Sequence, residues 1–195
     1  MTLRNEKTLT GAKSILYSGV ENANTRYYDG SRPLHWAHTA AIAELLILMG
    51  AKVNTRDSSK RSPLHVAVSR NVSIIKLLIN NGAYVNARDN QGNTPLHYTT
   101  RIDVVCELVR NGANVNALNH DREAPIYMRC YNSAVVKALI EYGADIKYLY
   151  PNRAVYDTWK TYRQDLCNIQ TRVFEEDLIK NAWHPKRLLK WCCDE

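Results

Sequence analysis

Apolar residues recur along the chain in blocks of helical length, separated by short polar segments. In one block, Ile74, Ile75, Leu77, Leu78 and Ile79 nearly surround the axis of a helix. This arrangement is expected when neighbouring elements cover the helix on both sides, because a single block could not bury these side chains alone. The pattern therefore predicts a stack of small helical units that cover one another.

Four segments of the chain align as copies of one repeat. Their prolines are 30, 32 and 30 residues apart and their glycines 32, 30 and 31 residues apart, at Pro33, Pro63, Pro95, Pro125, Gly50, Gly82, Gly112 and Gly143. Proline suits the first turn of a helix, where the N–H has no intrahelical partner, and glycine suits the residue after a helix end. Each copy therefore predicts a helix, a turn, a second helix and a loop.

The residues around these prolines and glycines resemble the ankyrin repeat. The resemblance rests on two kinds of segment. PLH-type helix starts lie at 32–35, 62–65 and 94–97, and NGAxVNA-like ends lie at 49–55, 81–87 and 111–117. The resemblance covers about residues 12–147. It implies an all-α solenoid in which antiparallel helix pairs and projecting β-hairpin fingers are stacked, with a helical segment after it.

The same resemblance divides the chain into three parts. Residues 1–28 are predicted to form a degenerate N-terminal capping repeat, in which residues 12–25 look like a second helix and its exit loop. Residues 29–147 are predicted to form four ankyrin repeats, and residues 148–195 a C-terminal helical cap or interaction segment.

The copies depart from the familiar repeat in two respects. From proline to glycine they span 17, 19, 17 and 18 residues, which is short, so tightened turns between the helices are expected. In addition, Lys60 and Arg122 stand where the resemblance predicts a hairpin glycine, and residues 124–127 lack the usual Thr and His.

Candidate catalytic and metal-binding residues have simpler explanations. His35, His65 and His97 occupy identical repeat positions and should form a row, whereas a metal site needs ligands that converge on one ion. The resemblance implies that they bond to the hairpins instead. Cys106 lies in an apolar run and is assigned to the core. Because no phosphate loop, nucleophile elbow or HExxH motif is present, we expect a non-enzymatic protein without cofactor or metal.

Composition indicates a folded intracellular protein. The chain has 195 residues, of which 45% are hydrophobic, enough for a core. The five cysteines are odd in number, without CxxC spacing or a secretory leader, which favours a reducing compartment. No segment approaches 18 apolar residues, so no membrane span is expected. The predicted location is the cytoplasm or nucleus, including that of a host cell.

The net charge of +7 lies mainly on the repeats. Residues 151–195 contain eight Lys/Arg against seven Asp/Glu, which leaves about +6 for the first 150 residues. Such an excess favours an acidic protein or a nucleic acid as partner, although a solvated face has the same composition. No recognised nucleic-acid-binding motif supports the second alternative.

The resemblance implies that a partner protein binds the concave face formed by the finger tips and first helices. The repeat register places on this face Arg26, Tyr28, Asp29, Trp36, Arg56, Arg61, Arg70, Arg88, Asn90, Gln91, Asn93, Arg101, His120 and Asp121. Arg26, Arg56 and Arg88 are equivalent and should form a ladder, flanked by Tyr28 and Trp36. Since Arg and aromatic residues are frequent interface anchors, we expect an acidic or aromatic-accepting segment to bind there. The alternative is that these arginines are only solvated.

A second local resemblance concerns modification. Asn54, Asn86 and Asn116 stand in segments similar to those modified by the asparaginyl hydroxylase that acts on ankyrin repeats, each with a leucine eight residues upstream. The same asparagines are also ordinary structural loop residues of the repeat, so both interpretations stay open.

The C-terminal segment has two interpretations. Apolar residues at positions 155, 159, 162, 166 and 169 share one helix face, as in a cap over the last repeat. Alternatively, Trp183, Leu188 and Trp191 among basic residues form a second interaction module. The position and helical character of the segment are similar to the F-box-like tails that recruit a ubiquitin-ligase subunit in ankyrin proteins of large DNA viruses and intracellular bacteria, although an "LP" opening is missing.

Overall fold

The computed structural model describes residues 2–128 and 132–145. Within these residues the chain forms seven α-helices and two 3-10 helices, and no strand is assigned. In chain order they are α1 (Leu9–Tyr17), a first 3-10 helix (Pro33–Trp36), α2 (Ala40–Leu48), α3 (Pro63–Ala67), α4 (Val72–Asn80), a second 3-10 helix (Pro95–Tyr98), α5 (Ile102–Arg110), α6 (Pro125–Met128) and α7 (Ser133–Glu141).

The second helix of each repeat has a defined start and end. In α4, the side-chain oxygen of Asn71 accepts a hydrogen bond from the N–H of Ser73 at 2.9 Å, which satisfies one of the donors that a helix start leaves without a partner. After the helix, Gly82 has a φ of 82°, and the N–H of Ala83 bonds back to the carbonyl of Leu78 at 2.9 Å. This is the Schellman arrangement, and it explains the glycine period.

The helices stack in chain order. Helices α1, α2, α4, α5 and α7 pack in one row, and the short first helices form a second row beside them. Helix α4 buries Ile74, Ile75 and Leu78, while Leu77 and Ile79 pack against the same core. Each fully buried side chain of this size stabilises the fold by roughly 1.5–3 kcal/mol. The prediction that neighbouring repeats cover α4 on both sides is confirmed.

The short span from proline to glycine is explained by the first helix of each repeat. The two copies with the shortest spans form single 3-10 turns of four residues, whereas the longest copy forms the five-residue helix α3. A 3-10 turn rises more per residue than an α-helical turn, so it covers similar length with fewer residues. We expected tightened turns between the helices; the structure shows that the first helices themselves are shortened.

The N-terminal region joins the stack through α1. This helix buries Ala12, Ile15 and Leu16 and packs against α2. After it, the side-chain amide of Asn24 donates to the carbonyl of Gly50 at 2.7 Å and accepts from the N–H of Lys52 at 2.9 Å. The boundaries proposed from the sequence at residues 28 and 147 stay predictions. Over residues 2–128 and 132–145, no helix combines the length and apolar character needed to cross a bilayer.

Candidate functional site

The row of histidines holds each finger to the repeat before it. In His65, Nδ1 accepts from the N–H of Ser62 at 3.1 Å, so Nε2 carries the proton and donates to the carbonyl of Asn93, 3.1 Å away. His35 and His97 repeat both bonds with their own neighbours. Burial lowers the pKa of all three imidazoles and favours their neutral form. The predicted bonding to neighbouring hairpins is confirmed, and residues 2–128 and 132–145 contain no cluster of ligands arranged for a metal ion.

Each regular finger is built around one buried side-chain oxygen. In the second finger, Oδ1 of Asp57 accepts from the N–H groups of Ser59 and Arg61 at 2.9 and 2.8 Å. Asp89 and Asn119 do the same in the third and fourth fingers. Such a side chain closes a turn by satisfying backbone donors that would otherwise be unpaired. The fingers therefore form as hydrogen-bonded turns.

Backbone hydrogen bonds join the finger tips into one surface. The N–H of Ser58 donates to the carbonyl of Asp29 at 3.0 Å, and the N–H of Asn90 donates to the carbonyl of Ser59 at 2.9 Å. The link from the third to the fourth finger is equivalent, since the N–H of His120 lies 2.9 Å from a carbonyl oxygen of the third finger. A partner that contacts several fingers therefore meets a connected surface.

Two members of the predicted arginine ladder, Arg56 and Arg88, are held by hydrogen bonds to backbone carbonyls. Nη1 of Arg56 donates to the carbonyls of Lys60 and Arg88, at 2.7 and 2.5 Å. Arg88 bonds in the same way to its own finger and to the carbonyl of Leu118, at 3.1 and 2.6 Å. Both side chains, like Arg26, remain exposed. Their remaining guanidinium donors are available to solvent or to a partner.

Positive charge on the fingers is largely uncompensated. Ion pairs within the described residues include Arg4–Asp29, Arg61–Asp57, Lys76–Glu107 and Arg101–Asp103. The exposed lysine and arginine residues of the fingers outside these pairs are Arg26, Arg56, Lys60, Arg88 and Arg122. Lys60 and Arg122 were not among the predicted binding residues, although their glycine-like positions mark them. Both have the left-handed φ expected for those positions, 58° and 64°.

The other predicted binding residues differ in accessibility. Asn90, Gln91, His120 and Asp121 are exposed at the finger tips. Asn93, in contrast, is only 2% exposed, and its amide nitrogen lies 3.1 Å from both Oε1 of Gln91 and the hydroxyl oxygen of Tyr98. A partner cannot reach it, so Asn93 is a structural residue of the finger.

Three further arginines that were predicted to bind a partner protein form hydrogen bonds within this chain. Arg61 donates to the carboxylate of Asp57 through Nε at 2.8 Å, and Arg101 binds Asp103 through Nε and Nη2, at 3.0 and 2.6 Å. These pairs reduce the charge that either arginine offers to a partner. Arg70 donates through Nη1 to the carbonyl of Ala37 at 2.9 Å.

The first finger is surrounded by aromatic and basic groups. Trp36 is half-buried and donates through Nε1 to Oγ of Ser31 at 2.7 Å, whereas Tyr28 projects fully into solvent, with a relative exposure of 108%. The guanidinium of Arg4 lies 4.2 Å from the centre of the Trp36 ring and pairs with Asp29 at 2.9 Å. Sequence reasoning missed Arg4 because it precedes the four aligned copies and no periodic position marks it.

The candidate hydroxylation residues bridge successive repeats. In Asn54, the amide nitrogen donates to the carbonyl of Gly82 at 2.8 Å and the oxygen accepts from the N–H of Tyr84 at 2.9 Å. Asn86 and Asn116 form the equivalent pair of bonds with the next loops. Their structural role is therefore shown, and their modification stays a prediction. Trp183, Leu188 and Trp191 lie outside the described residues.

Comparison with known proteins identifies the repeat. A family model described as "Ankyrin repeats (3 copies)" matches residues 4–89 and 34–119, which together span 4–119, more than half of the chain. The chain belongs to the ankyrin-repeat family. Proteins of this class are in general protein-interaction modules, and the predicted helical solenoid agrees with the described structure.

Two curated proteins share a short part of the sequence. The 85/88 kDa calcium-independent phospholipase A2 of Mus musculus is 42% identical over 52 residues, and that of Rattus norvegicus is 40% identical over 52 residues. In both cases the match covers 27% of this chain and 6% of the phospholipase. The chain thus spans a small fraction of these relatives' length, and the similarity concerns the repeats.

Proposed function

We propose that the protein binds an extended acidic segment of a partner protein along its finger tips. The observation that carries this proposal is the row of exposed cations at equivalent positions, Arg26, Arg56 and Arg88, together with the finger-tip residues Lys60 and Arg122, none of which takes part in an ion pair of the described residues. Carboxylates placed against this row would gain charge-assisted hydrogen bonds.

The geometry of the arginines supports this choice of partner. Because Arg56 and Arg88 are each held by two backbone carbonyls, less side-chain freedom is lost on binding. The guanidinium keeps a planar set of donors that matches a carboxylate. Tyr28 at the start of the row supplies an aromatic surface that a partner could cover.

The direct test compares two charge-matched variants of the full chain as baits for a eukaryotic lysate. In the finger variant Arg56 and Arg88 are both replaced by Gln, and in the control variant Lys13 and Lys52 are both replaced by Gln. Lys13 and Lys52 are exposed on α1 and on a loop, outside the fingers. We expect proteins captured by the wild type and the control to be lost from the finger variant, and poly-glutamate to displace them. Undiminished capture by a folded finger variant would overturn the proposal.

Related measurements test the two alternative functions, nucleic-acid binding and recruitment of a ubiquitin ligase. If an Arg-dependent ligand is duplex DNA, its binding will weaken steeply with salt, with a slope set by the phosphates contacted. If the full chain captures ubiquitin-ligase subunits that a Trp183→Ala/Trp191→Ala variant loses, the C-terminal segment acts as a substrate-adaptor module. The location of the protein in a host cell stays a prediction.

A further inference from the structure

A second cluster of basic side chains lies at the N-terminal end of the finger surface. Two guanidinium groups share one indole ring, since Cζ of Arg4 lies 4.2 Å and Cζ of Arg70 5.7 Å from the ring centre of Trp36. Lys7 and His38 belong to the same neighbourhood, because burial first, and then the charges of Arg70 and Lys7, lower the pKa of His38. We call Arg4, Lys7, Trp36, His38 and Arg70 the N-terminal cluster.

Each of the carboxylates near this cluster already has a partner within the chain. Asp29 pairs with Arg4 at 2.9 Å. Glu21 is engaged by the hydroxyl of Tyr27 and a backbone N–H, and Glu6 accepts from the N–H and hydroxyl of the residue that caps α1. Two guanidinium groups thus lie against the Trp36 ring, and one of them pairs with a carboxylate. Holding like charges together is unfavourable, and a bound anion would relieve this repulsion.

The cluster is also fixed in place. Trp36 is anchored by its hydrogen bond to Oγ of Ser31, and that hydroxyl donates in turn to Asp29 at 2.6 Å. Arg70 is held by the carbonyl of Ala37 at 2.9 Å. The guanidinium groups are only partly buried, so donors on both remain open to solvent. Prepositioned donors of this kind bind an anion with a smaller loss of side-chain entropy.

From this arrangement we propose that the N-terminal cluster binds a phosphorylated side chain of the partner segment. A phosphate monoester carries about −1.5 to −2 near neutral pH, so it should interact more strongly with the two guanidinium groups than a single carboxylate does. Arginine pairs are suited to phosphate because several N–H groups can bind its oxygens at once. This inference rests on the proposed function, because the cluster adjoins Tyr28 and Asp29 in the first finger and would extend the row of finger arginines.

The test uses two acidic peptides of identical sequence in which one central serine is either free or phosphorylated. Binding to the isotope-labelled full chain is followed by NMR through the indole N–H of Trp36, assigned with a Trp36→Phe variant. We expect the phosphopeptide to shift this signal saturably and to bind about tenfold more tightly, which corresponds to about 1.4 kcal/mol. Arg4→Gln and Arg70→Gln should abolish this preference, Arg70→Lys should retain part of it, and the Lys13→Gln/Lys52→Gln control should leave it unchanged.

The outcomes separate this inference from the proposed function. Equal affinity for the two peptides overturns the phosphate site, while binding of both that depends on Arg56 and Arg88 leaves the proposed function intact. A shift of the Trp36 signal by inorganic phosphate, without preference for the phosphopeptide, also overturns it and assigns the cluster to free phosphate. A preference that survives both Arg4→Gln and Arg70→Gln, in variants whose spectra show a folded chain, places the phosphate elsewhere and likewise overturns it.

Discussion

The first finger and the later three reach the same position in the stack by different means. In the later fingers a buried Asp57, Asp89 or Asn119 accepts two backbone N–H groups and closes the turn. In the first finger Tyr27 stands at that position, and Asp29, which is half exposed, bonds to Ser31 and to Arg4. The regular fingers are thus stabilised from within, whereas the first also depends on Arg4, which precedes the four aligned copies.

The strongest way to break a regular finger is to remove its central carboxylate. Asp89 is buried, and besides two backbone N–H groups it accepts from the hydroxyl of Tyr98 at 2.5 Å. We expect Asp89→Ala to lower the free energy of unfolding by about 2–3 kcal/mol, because several buried donors lose their acceptor. Asp89→Asn should lose much less, since Asn119 performs the same task. Urea denaturation measures both, and equal losses would contradict this account.

Acid should weaken the joints between fingers through the histidines. Their pKa values are lowered in the folded state, so the unfolded chain binds more protons below about pH 6.5. Stability is therefore complete above that pH and falls as the pH drops toward the native pKa values, by up to about 1.4 kcal/mol per pH unit for each histidine. His65→Gln removes one of these titrating groups. It should therefore reduce the slope of the free energy of unfolding against pH, between pH 6.5 and 5, by up to the contribution of one bound proton. A slope unchanged in His65→Gln would contradict this account.

The first finger should respond selectively to loss of its external support. Trp36→Phe removes the hydrogen bond to Ser31 and weakens the contacts with Arg4 and Arg70. We expect a loss of about 1 kcal/mol, because these interactions are partly exposed. Hydrogen exchange should become faster at the Tyr27 N–H, which bonds across the first finger, and stay unchanged at Asp89. Faster exchange in both places would show that the fingers are not supported separately.

The smallest expected effect is a gain. Lys60 has a φ of 58°, a left-handed conformation that costs a residue with a Cβ up to about 1 kcal/mol relative to glycine. Lys60→Gly should therefore raise the midpoint of urea denaturation slightly, and Arg122→Gly should do the same. Lys60→Ala, which removes the charge and keeps the Cβ, should give no gain. A loss of stability in the glycine variants would mean that the long side chains matter more than the backbone conformation.

The features that could be predicted from the sequence are those that recur with the repeat period. The helix starts at prolines and the helix ends at glycines such as Gly82 recur in each copy, the bonding role of His65 recurs in three of the four, and the structure agrees with them. Lys60 and Arg122 were also recognised as occupants of glycine positions, and both have a positive φ.

Features that differ between the copies, or that lie outside them, could not be predicted from the repeat period. Equivalent positions need not be equally buried: Arg61 is partly exposed, whereas Asn93 is buried because Asn119 and Tyr98 contact its side chain. The contact of Arg4 with Trp36 joins a residue outside the four aligned copies to one within them, and no spacing rule relates the two. Such contacts depend on neighbours in space.

The bridging asparagines also bear on how such a chain can change its length in evolution. Asn24, Asn54, Asn86 and Asn116 each bond to the loop of the following repeat and to no more distant one. A tandem duplication of one repeat would bring its own bridge and its own acceptor. The binding surface could therefore grow or shrink by whole repeats while every junction keeps the same hydrogen bonds.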